Sequence, residues 1–378
     1  MNRWKWLASI VFLAGLGAAF VLWSQCPANF LAARGNTRLL RVAARVGLPL
    51  NRCCKDSWPL VEAVKSQQRE TVAYLLTQRV DINVRDQHRT TPLMWAAQLG
   101  EATMCEQLIA AGADINAKDD VGSTALRYAV IRGRYETAEV LIKSGAHVNM
   151  PNIMGETVLM RAAKSGNIDL VRLLLSSGAE RTFQAKNGTT ALDYVPYPRN
   201  PTLVQLLGSI YFVPIGDAPI SEINALVGHY REKFGMEVKV LPRMEPGSGD
   251  LDPNRQQLIA ENVTESVRQA HPEYARNTSV ILLGVTGQDM YPRGENWQFC
   301  FGWRNPELGS AVVSTARMSL HYPGEPRTEA VLSKRLQKVI TKDIGIMLFG
   351  KPQSENPRSV LYYGIMGIQE LDQVSEYF

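Results

Sequence analysis

Between Ser57 and Val195 one pattern returns at a fixed step of 33 residues. Pro59-Leu60 recurs as Pro92-Leu93, Ala125-Leu126, Val158-Leu159 and Ala191-Leu192. Ala63, Ala96, Ala129 and Ala162 keep the same step, with Val195 in the next place. A self-similar period of this length marks a repeat array, in which each unit is one supersecondary element that buries its apolar face only against its neighbours. Such a segment builds a row of stacked units rather than a globule around one core.

The repeated positions have local physical reasons. In Thr91-Pro92-Leu93-Met94-Trp95-Ala96-Ala97 the Thr is an N-cap. The Pro fits the first helical turn, where its missing N–H costs nothing. Leu93 and Ala96-Ala97 share one face, and the small alanines admit a neighbouring helix. Gly100 closes the helix. A second helix is expected over Ala102–Ala111, and Gly112-Ala113-Asp114-Ile115-Asn116 turns the chain into the next unit. The same series runs from Gly122 to Asn149 and from Gly155 to Glu180. These residues resemble ankyrin repeats, whose hallmark is Thr-Pro-Leu-His-x-Ala followed by Gly-Ala-Asp-x-Asn. Met94, Arg127, Met160 and Asp193 stand where that hallmark has His.

The array is expected over residues 26–208, about six units, with divergent ends. Pro27 to Asn51 reads as the first unit. Asn187 opens the last, which Pro196, Pro198 and Pro201 interrupt. The resemblance implies a protein partner held on loop tips and inner helices. The candidate tip residues are Arg85, Asp86, Gln87, His88, Arg89, Lys118, Asp119, Asp120, Asn152 and Met154.

Ahead of the array, Leu7–Trp23 runs without a charge, and Trp4, Trp6 and Trp23 bracket it. This length suits one spanning helix, with membrane contact through residues 4–23 and an anchor over 1–25. An uncleaved anchor is the first reading, a cleaved signal the second and a lipoprotein at Cys26 the third. Arg3 and Lys5 favour a cytoplasmic N-terminus. The expectation is therefore a single-pass protein of the bacterial inner membrane with its body in the periplasm.

From Ile210 the texture changes. Strands are expected at Ile210–Ile215, Met236–Leu241, Ser279–Val285, Trp297–Gly302 and Ala311–Ser314, and helices at Pro219–Phe234, Arg255–Gln269 and Glu329–Phe349. Interleaved strands and helices indicate an α/β domain, assigned to 209–378. Val213–Asp217, Leu283–Thr286 with Asp289-Met290-Tyr291, Phe301-Gly302, Val312–Arg317 and Gly367–Asp372 resemble archaemetzincins in order and spacing. That resemblance implies a metzincin-like zinc protease fold with a His-Glu-x-x-His-x-x-Gly-x-x-His motif at the end of the long helix. Here Lys342 stands at the first ligand, Ile346 at the second and Pro352 at the third, while Asp343 keeps a carboxylate at the base position. A Lys cation repels zinc and Ile offers no lone pair, so no metal, cofactor or catalytic residue is assigned. Structural roles are expected for Asp289, Arg317, Glu370 and Asp372.

The fold class is thus multidomain: an N-terminal transmembrane helix, an all-α ankyrin solenoid and a C-terminal α/β domain. A formal charge of +5 with interspersed signs argues against nucleic acid. The five cysteines fit no zinc or redox spacing; buried thiols are favoured over a single disulfide. The sequence favours an interaction scaffold carrying a pseudoenzyme domain. A peptidase or other hydrolase using a remodelled cleft, and an envelope spacer, are the alternatives.

Overall fold

The computed structural model describes residues 27–45, 50–51, 58–196, 199–275, 277–293, 300–318 and 329–349. The chain divides into two compact units: residues up to Ala162 with Leu173–Ala179, and Ala163–Arg172 with everything from Glu180 onward.

The repeats form helix pairs. These are α1 Pro27–Ala33 and α2 Thr37–Arg45, α3 Pro59–Lys65 and α4 Arg69–Leu76, α5 Pro92–Leu99 and α6 Ala102–Ala110, α7 Ala125–Ile131 and α8 Tyr135–Lys143, and α9 Val158–Ser165 and α10 Ile168–Ser176. Thr91 caps α5 by accepting the Met94 N–H at 3.3 Å, and Gly100 ends it at φ 87°, a conformation that a Cβ would strain. Leu93, Ala96, Leu126 and Ala129 are each at most 1% exposed, so the repeated apolar positions are the buried ones. Hydrogen bonds stitch one unit to the next. Asn83 Oδ1 accepts the Asp114 N–H at 2.8 Å, and Asn116 Oδ1 accepts the His147 N–H at 2.9 Å. The recurrent Asn is therefore a staple for backbone groups that the turns would otherwise leave unpaired.

Where the hallmark has His, three kinds of side chain solve the same problem. Met94 and Met160 accept the N–H of Thr91 and of Thr157 on sulfur, each at 3.4 Å. Arg127 reaches into the next unit and donates to the carbonyls of Glu156 and Thr157, both at 3.2 Å, and to the Glu156 carboxylate. Asp193 accepts the Thr190 N–H at 2.7 Å and the Thr278 hydroxyl.

Asp193 belongs to the second unit. There a 3₁₀ turn, Leu192–Tyr194, and α11 Pro201–Leu207 lead directly into the sheet. Asn277 Nδ2 donates to the Thr182 carbonyl at 2.8 Å. Gly208 lies so close to the long C-terminal helix that a Cβ on it would stand 2.6 Å from Leu348 Cδ2 and 2.9 Å from the Val204 carbonyl oxygen.

The sheet contains β1 Ser209–Ile215, β2 Glu237–Val240, β5 Val280–Thr286, β7 Gly302–Asn305 and β8 Ser310–Ser314, in the order β2-β1-β5-β8-β7. All neighbours are parallel except β7, which runs antiparallel to β8. β1 and β5 are buried along their whole lengths, as expected for strands covered on both faces. A second sheet joins β3 Leu251–Asp252, β4 Gln257–Ile259 and β6 Met290–Tyr291. The helices are α12 Ile220–Phe234, α13 Ala260–Ala270 and α14 Glu329–Met347. The helix expected from Arg255 starts only at Ala260, because Leu258 and Ile259 pair with Met290 and Tyr291 as a strand first.

One expectation is corrected. Among the described residues no helix is long and apolar enough to cross a membrane, so the fold class loses its transmembrane helix and the single-pass inner-membrane placement is not supported. The Leu7–Trp23 run itself, with the contact read at residues 4–23, lies outside the described residues, as do Pro352 and Gly367–Asp372.

Candidate functional site

The fingers that connect the repeats are built on Asx turns 33 residues apart. Asp86 Oδ1 accepts the N–H groups of His88 and Thr90, each at 3.0 Å, and Oδ2 accepts the Trp95 indole N–H at 3.0 Å. Asp119 repeats this with Val121 N–H at 2.9 Å, Ser123 N–H at 2.7 Å and the Tyr128 hydroxyl at 2.7 Å. Asn152 takes the N–H groups of Met154 at 3.0 Å and Glu156 at 2.9 Å. Burial alone would raise the Asp86 carboxyl, but its donors and Lys65 outweigh that and hold it below its usual value. Burial and the Asp119 hydrogen bond push the Tyr128 phenol up to about 12.

The ten candidate tip residues therefore separate. Arg85 donates to the Lys118 carbonyl at 2.9 Å, and Lys118 to the Pro151 carbonyl at 3.0 Å. These two, with Asp86, Asp119 and Asn152, use polar groups to hold the fingers together. Gln87, His88, Arg89, Asp120 and Met154 face outward. The structure adds Val121 and Ile153 to the outward set. Val121, Ile153 and Met154 are 51%, 53% and 61% exposed. Val121 and Met154 occupy the repeat place of His88, so an apolar residue at that position of a polar turn was the available signal. Adjacent fingers are laddered: Asp120 N–H donates to the His88 carbonyl at 3.3 Å and Ile153 N–H to the Val121 carbonyl at 3.2 Å. Gly122 makes room for this, since a Cβ on it would stand 3.0 Å from the Ile153 nitrogen.

In the second unit, Lys342, Asp343 and Ile346 lie in the last turns of α14. Asp343 is 2% exposed. Its Oδ1 accepts Arg304 Nη1 from β7 at 3.2 Å, and its Oδ2 is buried with no hydrogen-bond partner among the described residues. A Cβ on Gly302 would stand 3.7 Å from that oxygen. Burial pushes the Asp343 carboxyl up to about 6, against the pull of Arg304 and Lys342. Burial, then repulsion from Arg304, pushes the Lys342 ammonium down to about 8, against Asp343. Ile346 brings no polar atom. This donor set does not fit zinc: one carboxylate, already engaged by a guanidinium, stands beside a second cation. Among the described residues no three His, Cys, Asp or Glu side chains come together as a metal site.

Asp289 and Arg317 form a two-pronged ion pair, Arg317 Nε lying 3.0 and 2.9 Å from the two carboxylate oxygens, and Gln257 Nε2 adds a bond at 2.8 Å. They tie β4, the β5–β6 connection and the segment after β8 together. Cys105 and Cys300 are free and buried, and burial pushes each thiol up to about 12, where it is not nucleophilic.

Comparison with known proteins agrees with both halves. A family model for ankyrin repeats in three copies matches residues 60–152, and a single-repeat ankyrin model matches residues 154–186. The archaemetzincin of Pyrococcus furiosus is 28% identical over 159 residues, covering 41% of this chain and 80% of the relative. That of Pyrococcus abyssi is 27% identical over 164 residues, 42% and 84% of the two chains. That of Methanocaldococcus jannaschii is 28% identical over 150 residues, 40% and 77%. Ankyrin repeats support the binding of a protein partner, and these relatives support a metalloprotease-like domain. The chain carries ankyrin repeats followed by an archaemetzincin-like domain.

Proposed function

We propose that this protein is an interaction scaffold: its array, residues 26–208, docks a protein partner through the outward finger residues, and its domain at 209–378 is a pseudoenzyme that works without zinc. The exposed aliphatic row Val121, Ile153 and Met154 carries the first half. Side chains of this kind on consecutive fingers gain apolar contact only when a partner covers them. His88, Gln87, Arg89 and Asp120 supply a polar rim beside them. The second half rests on Arg304, Lys342 and Asp343, which place protein cations around the one carboxylate where the resemblance calls for a metal centre.

Two measurements test the reading. Photo-crosslinkers placed at Ile153 on a finger and at Glu139 on α8 compare the two places; capture of one defined partner from Ile153 alone is expected, and equal capture from both positions would remove the finger surface. Elemental analysis after dialysis against zinc, together with a peptidase assay, addresses the domain. Substoichiometric zinc and no cleavage are expected; one zinc per chain with cleavage would make the domain an enzyme.

A further inference from the structure

β7 presents different residues to the two faces of its sheet. Gly302 and Arg304 face α14, where Val339 and Asp343 lie, whereas Trp303 packs against the core cluster that α13 completes. On this second face a groove of about 480 Å³ runs between α13 and the segment Trp303–Leu308. Arg268 and Arg304 line it, and Arg304 is the residue that also reaches Asp343. Trp303, Pro306 and Leu308 give it an apolar wall, and Leu308 is 39% exposed. Glu261, Glu265 and Glu307 line it as carboxylates.

The charge does not cancel. Both lining cations have carboxylate partners: Arg268 is held by Glu265 at 2.7 Å, and the Arg304 guanidinium by Asp343 at 3.2 Å. Among the described residues, Glu261 accepts only the uncharged backbone N–H of Arg293, at 2.9 and 3.1 Å. Glu307 makes no ion pair among the described residues. Among the described residues, two carboxylates that line the groove with Trp303 thus have no cationic partner, in a protein whose overall charge is +5.

We propose that this groove binds a polypeptide segment through an arginine side chain flanked by aliphatic residues. A guanidinium is the cation that this lining fits: it stacks on an aromatic face, accepts desolvation more readily than an ammonium and forms paired bonds to carboxylates. The proposal is independent of whether the domain binds zinc or the array docks a partner.

The test uses the full-length protein and fluorescence anisotropy of two labelled peptides, Gly-Leu-Arg-Leu-Gly and the same peptide with citrulline for arginine. Saturable binding of the arginine peptide is expected, with the citrulline peptide about tenfold weaker, the size of a charge-assisted hydrogen bond. The E261Q/E307Q protein is expected to bind the arginine peptide about tenfold less tightly and the citrulline peptide unchanged. E307Q alone, at an exposed position, gives a smaller loss in the same direction and guards against misfolding of the double variant. Equal affinity for the two peptides, absence of saturation at millimolar peptide, or indifference to both glutamine variants would each overturn the proposal.

Discussion

Asp86 in the array and Asp343 on α14 are both buried carboxylates in opposite electrostatic states. Asp86 receives two backbone N–H groups and an indole N–H, so its charge is stabilised more than burial penalises it. Asp343 has one guanidinium and, among the described residues, no donor on its second oxygen, so burial prevails and its carboxyl rises to about 6. Burial alone does not decide the state of an acid; the number of donors aimed at it does. The difference also separates purposes. Asp86 is turn architecture, repeated at Asp119 and Asn152, whereas Asp343 is held at a cost that turn-building does not explain.

The largest effect expected from this contrast is at the turn. D86A leaves two backbone donors and the indole without their acceptor and is expected to cost about 3 kcal/mol in urea unfolding, while D86N keeps the Asx turn and costs about 1 kcal/mol. If the two cost the same, the turn does not rest on the side-chain acceptor. Next comes R304M, which strands Asp343 without its ion pair and is expected to cost about 2 kcal/mol, reduced from a fully buried pair because the guanidinium is partly exposed.

The pH dependence sharpens the comparison further. The folded Asp343 pKa of about 6 lies above the ordinary 3.8, so this group favours the fold in acid, and the advantage is lost as pH rises through about 6. D343N is expected to remove that slope from melting curves between about pH 4 and 6. Lys342, lowered from 10.5 to about 8, works the other way: its advantage is present in alkali and is lost as pH falls through about 8, so K342M is expected to flatten the alkaline slope. Asp86 works opposite to Asp343 in acid: its lowered carboxyl favours the fold above its ordinary value and loses that as pH falls, so D86N is expected to remove a loss of stability on acidification. The smallest effect is at T278V, which removes one of several donors from Asp193 at an exposed position and is expected to cost about 0.5 kcal/mol.

The array was legible because its determinants are local: Thr91, Pro92, Gly100 and Asn83 act within a few residues or at one fixed step. The hallmark position was visible as a departure at Asp193, but its reason lies at Thr278, 85 residues away. β4 was hidden for a similar cause, since the pairing of Leu258 with Met290 overrides a helical pattern that begins at Arg255. The places of Lys342 and Asp343 in the metzincin-like motif were read from sequence, whereas the Arg304 that defines their electrostatics lies 39 residues from Asp343 and carries no motif. Among the fingers, periodicity picked out the loops but not which residues turn inward, because Asp86 and Asp120 look alike until the turn is folded.

Asp193, the Asn277–Thr182 bond and the close contact of Gly208 with Leu348 make residues 180–207 part of the sheet-bearing unit. A terminal repeat ordinarily frays first, since it has a neighbour on one side only. Here it is joined to the mostly parallel sheet. The amides of Leu203, Val204 and Leu207 are expected to exchange hydrogen as slowly as those of β1, so that the solenoid's final turn opens only when the five-stranded sheet itself comes apart.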